Sequence, residues 1–178
     1  MPNRIRRIGL ALAAIVCSGS LAQADEFFAK LSGFQEVGGV GAGQTGAILS
    51  NGRGTLGFDV STSSISYRLT YSGTATAVTQ AHVHFGKVHV GGGIMVFLCT
   101  NLGNGPPGTP ACPASGTVTG TLTAASVVGP TAQNVPVGDF GALLAALDSN
   151  TAYANIHTTQ FPAGEIRGQM RRGDRDED

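Results

Sequence analysis

The sequence predicts an all-β domain, an antiparallel sandwich or barrel of short strands with one short helix. Three observations carry this. Glycine is abundant at 27 residues and charged residues are sparse at 12%, a composition suited to short strands and tight turns rather than helices. Apolar residues recur at every second position through most of the chain, the period of a half-buried strand. Turn-forming segments separate these runs at short intervals, as in sandwiches and barrels. With 178 residues the chain has the size of one domain and enough length to bury a core.

Residues 1–24 read as a secretion signal and not as part of the fold. Arg4, Arg6 and Arg7 precede an apolar run too short to span a bilayer, and Ala22-Gln23-Ala24 has the form of a cleavage site. Cys17 falls inside this segment, and the residue before it, Val16, is not the small one that a lipid-modified cysteine needs. Cleavage leaves Asp25 first and removes three of the eleven basic residues and no acid, so eight basic residues face eleven acidic ones and the net charge becomes −3. The domain is expected over 25–170. A mixed-charge tail, 171–178, is expected to fray. No later stretch has the ~20 apolar residues of a membrane span, and no basic cluster offers a nucleic-acid surface.

Within the domain, 27–33 reads as a first strand and the glycines of 38–43 as a loop. A strand is expected over 45–49, a turn at Asn51-Gly52, and a strand over 54–60. The segment 64–71 is the best half-buried strand, with Ile65, Tyr67, Leu69 and Tyr71 on one face and Ser66, Arg68 and Thr70 on the other. Strands follow over 79–85, 94–99 and 115–122, the second apolar enough to suit burial on both faces. Helical spacing of Phe140, Leu143, Leu144 and Leu147 places the one helix at 139–147, with Asp139 as its N-cap. Two last strands, 151–158 and 165–170, are joined by Phe161-Pro162-Ala163-Gly164.

Export governs the cysteines. Loss of Cys17 leaves Cys99 and Cys112, an even pair in an oxidising compartment. A disulfide between them would close a Gly/Pro-rich loop and stabilise the fold by roughly 3 kcal/mol. Copper ligation by the two thiolates is the alternative reading.

Three of the four histidines fall in Ala81-His82-Val83-His84-Phe85-Gly86-Lys87-Val88-His89, and the fourth is His157. Strand alternation puts His82 and His84 on one face about 7 Å apart, near enough to share an ion. His157, on another predicted strand, would complete three nitrogen ligands, with His89 as a candidate fourth. Imidazoles without a nearby carboxylate favour copper over hard cations. Met95 offers a soft axial ligand or, more simply, core filling. The structural alternative is that His82 and His84 are hydrogen-bonded core residues that fix strand register. Glu165 and Arg167, two apart, are expected to face the same way, either orienting a ligand histidine and guiding an anion to the metal or closing the barrel bottom as an ion pair. Gln35 and Glu36 suit a hydrogen bond that orders their loop.

Leu31-Ser32-Gly33-Phe34-Gln35-Glu36-Val37, Ala81-His82-Val83-His84, the 140–147 segment, and Tyr153-Ala154-Asn155-Ile156-His157-Thr158 followed by Phe161-Pro162-Ala163-Gly164-Glu165-Ile166-Arg167-Gly168-Gln169 together resemble the CHRD domain, a module of exported proteins. The likeness spans nearly the whole mature chain. The CHRD domain is in turn similar to the barrel of copper/zinc superoxide dismutases, whose His-x-His strand holds copper, and Val83-His84-Phe85-Gly86 looks like a shortened form of that motif. The resemblance implies an immunoglobulin-like, dismutase-like β-sandwich, a Greek-key barrel, and suggests copper. It does not imply the dismutase activity, since one fold hosts many functions.

Three functions follow for a periplasmic or extracellular protein. The favoured one is a copper-binding module for storage, delivery or redox buffering. The second is a non-catalytic envelope or extracellular module that binds a protein partner and keeps its histidines for structure. The third is a copper-only dismutase-like enzyme; four histidines are too few for separate copper and zinc sites, which leaves zinc the weaker candidate.

Overall fold

The computed structural model describes residues 25–37 and 46–173. The expected signal segment 1–24, the glycine loop 38–43 and the end of the tail, 174–178, lie outside the described residues. In chain order the elements are β1 (Asp25–Ser32), β2 (Arg53–Val60), β3 (Ile65–Ser72), β4 (Val78–Phe85), β5 (Gly93–Thr100), β6 (Gly116–Leu122), α1 (Phe140–Asp148), β7 (Ala152–Thr158), β8 (Ile166–Gln169) and β9 (Arg171–Arg172), with three single-turn 3-10 segments between them.

The strands form one antiparallel sheet in the order β5-β4-β7-β8-β1-β2-β3-β6, with β9 beside β1. The β3 face alternates buried and exposed residues without a break, which is what its two-residue apolar period demands. The sheet curls until its first and last strands approach. The Tyr67 hydroxyl on β3 donates to the Leu98 carbonyl on β5 at 2.6 Å, and Val127, just past β6, bridges to Val96. The choice between sandwich and barrel therefore goes to a nearly closed barrel. Its core holds Leu31, Leu56, Phe58, Leu69, Val83, Met95, Leu98 and Ile156, together with Leu143 and Leu147 from α1. The helix begins where expected, with the Asp139 carboxylate accepting from the Ala142 amide at 2.9 Å.

Three expectations need correction. The 46–50 segment is not a strand. It crosses so near Gly33 that a Cβ there would meet the Ile48 carbonyl oxygen at 2.2 Å, and it makes one backbone bond, from the Ile48 amide to Gly33 at 2.7 Å. The tail starts as structure: Arg171 and Arg172 pair with Phe28 and Phe27, and Arg172 lies over the Phe27 ring at 4.8 Å while bonding to Asp148. The strand buried on both faces is β7, all seven of whose residues are buried, whereas β5 is an edge strand with Phe97 only half-buried. Ala152, Ala154 and Ile156 of β7 face the apolar core. Its opposite face, Tyr153, Asn155 and His157, is polar and covered by loops, and this position organises the site.

Cys99 and Cys112 form a disulfide, which removes both from the set of thiolate ligands. Asn101 braces the loop it closes, donating to the Val78 and Cys112 carbonyls and accepting from the Cys112 amide.

Candidate metal centre

His82 and His84 lie on β4 and His157 on β7, its hydrogen-bonded neighbour. Register pairs His82 with Asn155 and His84 with Tyr153, so His157 sits diagonal to His82 on the same face. The β4–β5 pairing shifts register between Ala81 and His82 and between Val83 and His84, next to each of these histidines. The ring centroids are 5.4 Å apart for His82 and His84, 4.9 Å for His82 and His157, and 5.8 Å for His84 and His157. All three histidines are buried, and one ligand nitrogen from each falls within 4.8 Å of the others.

The hydrogen bonds fix the tautomers. Nδ1 of His84 meets the Gly92 carbonyl at 3.0 Å and Nδ1 of His157 meets the Pro162 carbonyl at 3.0 Å. Carbonyls only accept, so both Nδ1 atoms carry protons and both Nε2 atoms present lone pairs. Nδ1 of His82 lies 3.1 Å from Nε2 of His157 and, in the neutral cluster, donates to it. Nε2 of His82 and Nε2 of His84 are buried with no hydrogen-bond partner among the described residues, a costly state for a polar atom unless something else binds it.

The spacing fits a small transition-metal ion. A tetrahedral site sets its ligands ~3.3 Å apart, so nitrogen pairs as wide as 4.8 Å need only close by about 1.5 Å. Charge state fits as well, because metals take neutral imidazole. Burial, and then the neighbouring rings of His157 and His84, hold His82 down at about 2. Burial and the nearby His157 hold His84 at about 3, against an opposing pull from its bond to Gly92. Burial lowers His157 too.

His84 is also held from the side. Its ring stacks on Tyr153 at 4.9 Å and 5°, and the Tyr153 hydroxyl accepts from the Gly92 amide at 3.0 Å, so one residue, Gly92, fixes both rings through its carbonyl and its amide. The Arg167 guanidinium covers Tyr153 at 3.4 Å and donates to the Lys87 and Val90 carbonyls at 3.0 Å each. Gln169 donates to the Gly86 and Asn150 carbonyls, tying the 86–92 loop to the polar face.

The other expected site residues divide. His89 is exposed, with φ at 60°, in the turn after β4, and lies outside the three-histidine group. Met95 is fully buried in the apolar core. Glu165 and Arg167 do not pair. Glu165 enters from the residue before β8, and its carboxylate accepts from the Ser50 hydroxyl at 2.5 Å, the Ala75 amide at 2.7 Å and the Thr158 hydroxyl at 2.8 Å, closing one end of the barrel with neutral donors while Arg167 turns toward Tyr153. Gln35 donates to the Lys30 carbonyl at 2.8 Å, and Glu36 accepts from the Val37 amide at 3.3 Å, contacts that order their loop. Tyr153, Asn155, Gly92 and Gln169 were not singled out from sequence. The signal that could have found two of them is alternation along Tyr153-Ala154-Asn155-Ile156-His157, which puts Tyr153 and Asn155 on the His157 face.

Residues 27–170 match the family described as the CHRD domain. The chain belongs to the CHRD domain family. No curated protein gives a sequence match. This CHRD domain thus combines a nearly closed barrel, a disulfide and three convergent buried histidines that could hold a metal ion. Among its described residues no helix is long and apolar enough to cross a membrane.

Proposed function

We propose that this CHRD domain is an exported copper-binding module whose ligands are His82, His84 and His157, serving storage, delivery or redox buffering. The observation that carries the reading is the pair of buried imidazole Nε2 atoms without partners, His82 and His84, beside a third ring within ligand distance. An all-nitrogen donor set with no carboxylate among its ligands suits copper, nickel or zinc rather than magnesium or calcium. The disulfide and the signal-like first 24 residues support an oxidising compartment, periplasmic or extracellular. Copper titration of the wild-type protein and of His84→Ala and His157→Ala tests the reading. Affinity should fall at least tenfold in each variant, and unchanged affinity in both would remove it.

A second reading is favoured by the Nδ1 bonds to Gly92 and Pro162. There the histidines pin β4 and β7 to their flanking loops, and the domain acts by binding an envelope or extracellular protein. It predicts destabilised His84→Ala and His157→Ala variants and a wild-type protein that takes up no metal.

A further inference from the structure

Tyr153 lies on β7, between β4, which carries His84, and β8, which carries Arg167. The two side chains therefore reach the tyrosine ring from opposite flanks, His84 stacked at 4.9 Å and the guanidinium at 3.4 Å. Taken end to end, these separations put a full positive charge about 8 Å from the His84 ring. The charge is fixed in place: Arg167 is 2% exposed and bonded to two loop carbonyls, and an arginine stays protonated at neutral pH. Its Nη1 is buried without a hydrogen-bond partner among the described residues. The Glu36 carboxylate acts on Arg167 and Tyr153.

A buried cation beside three neutral ligands penalises an incoming ion in proportion to that ion's charge. We infer that Arg167, seated behind Tyr153, is a specificity-determining residue that biases the three-histidine site toward a singly charged ion, Cu(I), and against doubly charged ions such as Zn(II). The inference rests on the metal-binding reading and adds the class of ion. With the metal about 10 Å from the guanidinium and an effective dielectric of about 20, one extra unit of ion charge costs about a factor of ten in affinity.

The test is a pair of dissociation constants, Cu(I) and Zn(II), measured anaerobically by chelator competition on the full chain. The variants are Arg167→Met, Arg167→Lys and Glu36→Gln. Removing the cation should shift the Zn(II)/Cu(I) preference about tenfold toward zinc, Arg167→Lys should hold it within about threefold, and Glu36→Gln should move it toward Cu(I). Loss of a buried, hydrogen-bonded arginine can prevent folding, in which case the opposite-signed shift in Glu36→Gln carries the test, since a purely structural role would not change its ratio. Binding of both ions with an unchanged ratio in the folded variants overturns the inference alone. Failure of both ions to bind the wild-type protein overturns the metal reading itself.

Discussion

Lowering the pH from 7 to 5 should cost this domain several kcal/mol of stability, and the three buried histidines should account for most of it. In the unfolded chain each titrates near 6.5. In the folded barrel burial keeps His82 unprotonated to about 2 and His84 to about 3, and lowers His157 as well. The folded values lie below the unfolded ones, so this contribution is intact above about pH 6.5 and is lost progressively as pH falls toward the folded values. Between pH 7 and 5 the unfolded chain takes up protons that the folded one refuses, at about 2 kcal/mol for each of His82 and His84 and about 4 kcal/mol for the two, with His157 acting in the same direction. With a urea slope of about 2 kcal/mol per M, the midpoint should drop by at least about 2 M. Urea unfolding followed by circular dichroism at both pH values, with His84→Gln beside the wild type, reads this directly. The variant should lose about 2 kcal/mol less on acidification. Equal midpoints at pH 7 and 5, or an acid loss that His84→Gln leaves untouched, would refute neutral burial of the cluster.

Further outcomes follow from other residues. Saturating copper at about a hundred times its dissociation constant should restore about 2.7 kcal/mol at pH 7, seen as a higher melting temperature, and no shift would count against the site. Gly92→Ala should lower copper affinity at least tenfold, because its Cβ would fall 1.7 Å from the Phe85 carbonyl oxygen and displace the backbone that holds His84 and Tyr153; titration of the soluble variant checks it. Glu165→Ala should cost about 2–4 kcal/mol in chemical denaturation by stranding the Ser50, Ala75 and Thr158 donors, yet leave copper affinity unchanged. Replacing Cys99 and Cys112 with serine should cost about 3 kcal/mol, again without touching the histidines.

Most of the fold was legible because a two-residue apolar period can be satisfied in only one way once one face is buried. The 65–72 strand and the Asp139-capped helix are cases where local pattern and tertiary demand coincide. Segment 46–50 misled because its apolar Ile48 is buried through a crossing beside Gly33, a contact between distant parts of the chain that no local pattern encodes. Arg171 and Arg172 misled for the opposite reason: their charge reads as solvated tail, but Phe27 gives one of them an aromatic surface to cover. At the site, the three histidines were readable from strand parity, and the partners of Glu165 and Arg167 were not. Parity places two residues on one side of a strand only inside the ladder. Glu165 precedes it, so its carboxylate is free to turn to the barrel end. Burial of β7 on both faces likewise depends on loops, 86–92 above all, whose path the sequence does not specify.

A crystal of the full chain loaded with copper and measured at the copper absorption edge puts the three-histidine centre to the most direct test. One anomalous peak should appear at about 2.0 Å from a nitrogen of each of His82, His84 and His157. A copper-loaded crystal with no peak among those rings, or with its copper at the exposed His89, would contradict it.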